Sequence, residues 1–193
     1  MQTGLGVIRH LKTKRFVHVG HVYGADLFVH WSVLLIAGLM LVNSVRQPLL
    51  TLAGGLSYLS VLLIHECGHV IAARRKHCAV QSVSLYPIHG QTIFDTPWSQ
   101  FDHCVIAWGG VIAQAAIGVP LAIWVAVFGY TRFEPLNAVL AILGFFNLAV
   151  AAFNLIPKPP LDGAIAWEIV PLLIKRLRDR KKQKTYRHPF SKF

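Results

Sequence analysis

A chain of 193 residues that is 54% hydrophobic, only 14% charged and of mean hydropathy +0.52 is too apolar for an ordinary soluble globule. Its formal charge of +11 does not mark a nucleic-acid binder, because the basic residues gather at the ends of apolar segments, as a topology signal does. Cys67, Cys78 and Cys104 fall in or near the side those charges mark as reducing, so no disulfide is expected.

Residues 1 to 26 are polar and basic, with no apolar core ahead of a small-residue cleavage site, and do not read as a cleavable signal peptide. Four stretches then carry at most one formal charge over a length able to cross a membrane: Leu27 to Val45, Pro48 to Ala73, Val105 to Phe128 and Leu136 to Ile156. Arg9, Lys12, Lys14 and Arg15 precede the first. Arg74, Arg75 and Lys76 follow the second, and Lys158 with nine more from Lys175 onward follows the fourth, while the opposite side receives Arg46 and Arg132. The positive-inside rule puts both termini in the cytoplasm.

The expected fold is therefore an all-α polytopic membrane protein of about four transmembrane helices. Residues 1–175 would form a single membrane-embedded domain, and 176–193 a basic cytoplasmic tail beside anionic lipid. Between the second and third spans, Val80, Val83 and Leu85, then Ile93 and Phe94, sit among polar residues with Pro87 and Gly90 as turn signals. A small β-hairpin at the cytoplasmic face is expected there. After the fourth span, Pro157, Pro159 and Pro160 of "NLIPKPPLDG" end the helix in an extended segment, and "GAIAWEIVPLLIKRL" reads as a short interfacial helix.

The chemistry lies in "LLIHECGHVIAARR", Leu62 to Arg75. His65 and His69 stand four apart on one helix face with Glu66 beside them, the HExxH pattern in which two histidines bind zinc and the glutamate takes a proton from the attacking water. A rise of about 1.5 Å per residue sets His65 roughly 13 Å and His69 roughly 7 Å below the cytoplasmic helix end. A chance match is disfavoured, since an ionisable residue inside a membrane helix costs about 2.5 to 3.5 kcal/mol.

Catalytic zinc needs a third protein ligand. Of the eight carboxylates, Asp162 stands out because the second and fourth spans run in the same direction, which brings "HECGH" and "LDG" to one leaflet. An N-cap on the following helix is an equal alternative for Asp162. Glu168, Asp95, Asp102, His89 and His103 remain fallback ligands.

"HECGH" in the second span, "NLIPKPPLDG" after the fourth and "FVHWSVLLIAG" entering the first resemble, in order and at similar spacing from about Gly20 to Gly163, the site-2 protease family of intramembrane zinc metalloproteases. The resemblance implies one zinc ion per chain on His65, His69 and Asp162, Glu66 as general base, and Asn154 positioning the substrate or its oxyanion. It also implies cleavage of a transmembrane protein substrate within the lipid bilayer; the plasma (inner) membrane is the expected location, and the placement of the basic residues speaks against a nucleic-acid partner. Two departures stand out. "WGGVIAQ" puts Gly110 and Gln114 where many members carry Gly-Pro, a small residue and asparagine. The chain also reads as a short form, without a PDZ or nucleotide-sensing domain and with four spans where larger members have six. The alternatives are a catalytically inactive relative, a zinc carrier and a lipid-modifying hydrolase; Glu66 beside the histidine pair favours hydrolysis over transport.

Overall fold

A computed structural model describes residues 15–43, 45, 47–87 and 89–186. Arg9, Lys12, Lys14 and Arg46 of the charge pattern lie outside the described residues, as does the end of the basic tail.

The chain opens with strands β1 (Phe16–Val22) and β2 (Ala25–His30), then helix α1 (Trp31–Asn43). Helix α2 (Pro48–Arg75) leads into β3 (Val80–Leu85) and β4 (Gly90–Phe94). Helix α3 (Gln100–Phe128) is followed by α4 (Glu134–Asn154), whose middle, Ala141–Phe146, widens into a π-helical turn. Short α5 (Gly163–Ala166) and longer α6 (Ile169–Tyr186) complete the described chain.

Among the described residues three helices, α2, α3 and α4, are long and apolar enough to cross a membrane. The first expected span, Leu27 to Val45, is divided: its opening residues lie in β2 and only Trp31–Asn43 is helical. Thirteen helical residues rise about 20 Å, short of a hydrocarbon core of about 30 Å. Hydropathy did not separate the two parts, because a half-buried strand and a lipid-facing helix are equally apolar here.

The expected hairpin is present as β3 and β4, but it belongs to a four-stranded sheet in the order β1-β2-β3-β4. The neighbours β2 and β3 run parallel, joined through α1 and α2, and the two outer pairs are antiparallel. Ala25, Val29, Val80, Val83 and Leu85 from the sheet, Val33 from α1, and Leu62, Val70 and Ala73 from α2 form one core, which seats the sheet on the second helix.

Helix α2 begins with Pro48 at its first turn, where a missing N–H costs nothing, and closes with Arg74 and Arg75 opposite the negative end of the helix dipole. Ser99 caps α3, accepting from the Asp102 N–H at 3.1 Å, and the Lys76 ammonium reaches Asp102 at 2.8 Å, tying the two helix ends together. The α2 and α3 backbones meet at Gly68 and Gly109. A Cβ added to Gly109 would lie 2.5 Å from the Gly68 carbonyl oxygen and 2.8 Å from Ala72 Cβ. Close helix approach through small residues is how packing is gained where lipid removes the hydrophobic drive. Ile112, Ile123, Trp124, Val127 and Phe153 stay exposed on the outside, facing where lipid would lie.

Candidate metal centre

The crossing at Gly68 and Gly109 presses the middle of α2 against α3 and buries His65, Glu66 and His69, at 8%, 2% and 7% exposure. Each imidazole is fixed from behind. His69 Nδ1 lies 2.9 Å from the Ile106 carbonyl, which can only accept, so that nitrogen carries the proton. His65 Nδ1 lies 2.9 Å from Gln114 Oε1, and Gln114 is fully buried. Both rings therefore turn their Nε2 atoms forward, 3.0 Å apart.

Asp162 completes the group. Helix α4 ends at Asn154, and the chain passes through a series of turns at 155–162, in place of the extended segment expected there. Trp167 Nε1 donates to the Leu155 carbonyl at 2.7 Å and Trp108 Nε1 to the Ala166 carbonyl at 3.0 Å, pinning the turns against α3. Gly163 allows the tight fold, since a Cβ there would strike the Leu155 and Ile156 carbonyls. Asp162 stands at the N-cap position of α5, yet its side chain makes no capping bond. Its Oδ2 instead lies 3.0 Å from His65 Nε2 and 3.2 Å from His69 Nε2.

Three ligand atoms thus face one another, and Asp162 Oδ2 is buried with no other hydrogen-bond partner. With both Nδ1 atoms protonated, two lone pairs and a carboxylate oxygen converge, which is unfavourable unless a proton or a cation sits among them. The separations of 3.0 to 3.2 Å match a metal ion: bonds of about 2.0 to 2.1 Å at tetrahedral angles set ligand atoms about 3.3 Å apart.

Glu66 lies beside the trio. Its Oε2 accepts from Thr92 Oγ1 of β4 at 2.6 Å, and Gly90 leaves the space it occupies: any Cβ there would overlap the carboxyl group. Gly110 plays the same part for the histidines, because a Cβ on it would fall 2.6 Å from His65 Cε1 and 2.7 Å from His69 Nε2.

The remaining candidates are engaged elsewhere. Asp95 accepts from Gln81, Asp102 pairs with Lys76, Glu168 accepts from Gln100, His89 stacks on Tyr86 and His103 packs edge-on to Phe94. Asn154 donates to the Val150 carbonyl of its own helix at 3.2 Å and makes no contact with the trio through that bond. Sequence reasoning left Thr92, the Ile106 carbonyl and the role of Gln114 unassigned. Of these only Gln114 carried a signal, as an amide in an otherwise apolar span.

A His-Glu-Xaa-Xaa-His helix meeting a carboxylate inside a bundle of apolar helices is the donor set of a membrane-embedded metal site. No protein-family model matches the sequence. The chain is 32% identical over 178 residues to a putative zinc metalloprotease of Synechocystis, covering 79% of this chain and 45% of that protein. It is also 32% identical over 165 residues to the putative zinc metalloprotease Rip3 of Mycobacterium tuberculosis, covering 76% of this chain and 41% of the relative. Its fold resembles the solved site-2 protease from Methanocaldococcus jannaschii, with a TM-score of 0.61, 22% identity, and coverage of 80% of this chain and 71% of that one. The chain belongs to the site-2 protease family and is a multi-pass membrane protein. It spans less than half the length of the curated relatives named above.

Proposed function

We propose that this chain is an intramembrane zinc-dependent endopeptidase that cleaves transmembrane segments of membrane-protein substrates. The observation that carries the proposal is the convergence of the His65 and His69 Nε2 atoms on Asp162 Oδ2 beside a buried Glu66. One zinc ion per chain would be held by His65, His69 and Asp162. When bound there, zinc supplies a Lewis acid that acidifies water and polarises a carbonyl.

The residues around it divide the remaining work. Glu66 takes the proton from the attacking water and passes it to the departing amine, a general-base role that needs a carboxylate held in place. Thr92 holds one Glu66 oxygen and leaves the other available. Gln114 and the Ile106 carbonyl keep the two imidazoles in the tautomer that offers Nε2.

A transmembrane substrate hides its scissile carbonyl in intrahelical hydrogen bonds, so it must unwind before attack. Strand β4 is an outer strand of the sheet and runs beside Glu66 through Gly90 and Thr92. An unwound segment adding to that edge would recover the backbone partners that lipid cannot provide. Asn154, which spends one N–H on the Val150 carbonyl, has a second N–H and Oδ1 with which to position the substrate. We place the protein in the plasma (inner) membrane, and the distribution of Lys and Arg orients it with both termini cytoplasmic.

Incubating the purified protein in detergent with candidate single-span substrates tests this reading. Cleavage that a chelator stops and added zinc restores is the expected result; cleavage that ignores the chelator would contradict it.

A further inference from the structure

We propose that His18, His21 and Asp26, on the outer hairpin of the sheet, form a second site for a zinc-class transition-metal ion. The site shares no residue with the buried centre and does not depend on the proposed protease activity.

Side chains alternate faces along a strand, so residues three apart, such as His18 and His21, should point to opposite sides. Here the register shifts between His18 and Gly20: His18 pairs with Phe28, Gly20 with Leu27 and His21 with Asp26. Val19 is the extra residue of a β-bulge, and Gly20 takes φ +153°, a value that side-chain-bearing residues rarely adopt. The bulge returns His21 to the face of His18, the same face that carries Phe28 and Asp26 on β2. The His18 ring packs edge-on against both Phe28 and His21.

Three ligand atoms meet as a result. His21 Nδ1 lies 2.9 Å and His18 Nε2 3.4 Å from the same oxygen, Asp26 Oδ1, and the three groups can reach one ion. These distances bracket the spacing of about 3.3 Å between ligands of a tetrahedral zinc ion. Two imidazoles and one carboxylate suit zinc, cobalt or nickel, and not calcium or magnesium, which want oxygen. The side chains are 46%, 64% and 32% exposed, so water can fill the remaining coordination positions. An ion bound there would tie β1 to β2 across the bulge.

The test is the zinc content of the full chain in detergent after equilibration with buffered free zinc and removal of the unbound ion. Wild type should hold about two ions per chain, and both Asp26→Asn and the His18→Ala/His21→Ala pair about one. The cobalt-loaded protein should lose one set of visible absorption bands in the same variants. If both variants hold as much zinc as wild type, the two imidazoles and Asp26 are a plain surface ion pair and the proposal is wrong. Where wild type holds two ions, loss of both from the conservative Asp26→Asn would also overturn it, since the two sites would then not be separate; a wild type with one ion that Asp26→Asn loses would leave the hairpin site standing and the buried centre empty.

Discussion

Replacing Glu66 with Gln should lower peptidase activity by about 10²- to 10⁴-fold while leaving zinc in place. Glu66 supplies none of the three converging ligand atoms; its hydrogen bond goes to Thr92, and Gln keeps an oxygen that can accept it. The carboxylate's basicity is therefore lost with little change in shape. Cleavage of a single-span substrate, read beside the zinc content of the same preparation, separates the two effects. A Glu66→Gln protein that cuts at the wild-type rate would remove Glu66 from the chemistry, and one that loses its zinc would make Glu66 part of the metal site.

The second large effect is steric. Gly110→Ala would drive a methyl group to 2.6 Å from His65 Cε1 and 2.7 Å from His69 Nε2, where carbon contacts prefer about 3.5 to 4.0 Å. The imidazoles cannot retreat without leaving Gln114 and the Ile106 carbonyl, so the ligand set should open and zinc affinity fall about 10- to 100-fold. Gly54→Ala is the control. Its added carbon would meet only Ile142 Cδ1 at 3.7 Å, an ordinary contact, and zinc binding should be unchanged. Competition against a coloured zinc chelator measures both variants; equal affinities would mean that the α2–α3 contact is looser than the structure has it.

How far the sequence led depended on the range of each signal. The helical pair His65 and His69 with Glu66 is a local pattern, and helix geometry alone sets those side chains side by side. The long apolar runs of α2, α3 and α4 were equally plain, since membrane spans are written in hydropathy. Strands β1 and β2 were hidden. "LFVH" runs straight into "WSVLLIAG", and nothing in hydrophobicity marks where the strand stops and the helix starts. The bulge at Gly20 broke what alternation β1 would have offered, placing His18 and His21 at a spacing that reads as opposite faces.

Asp162 was singled out by the shared direction of two spans and by family resemblance, because no periodicity links it to His65 across the intervening chain. What the residues alone left open was its choice between capping α5 and facing inward, and the missing capping bond goes with the inward position. Gln114 is a subtler case. An amide within an apolar span is costly unless it has partners; its Oε1 meets His65 and its backbone carbonyl accepts from Asn147 Nδ2 at 2.9 Å, while its Nε2 is buried without a hydrogen-bond partner among the described residues. Its polarity was visible in the sequence, but its partners lie on two other helices.

The most direct test is the zinc retained by Asp162→Asn and by His69→Ala after dialysis against a weak chelator, both made in an Asp26→Asn background so that the surface hairpin does not contribute. If His65, His69 and Asp162 share one ion, each variant should emerge without zinc while its Asp26→Asn parent keeps about one equivalent. Retention of that equivalent by both variants would mean that no metal is held between those two imidazoles and that carboxylate.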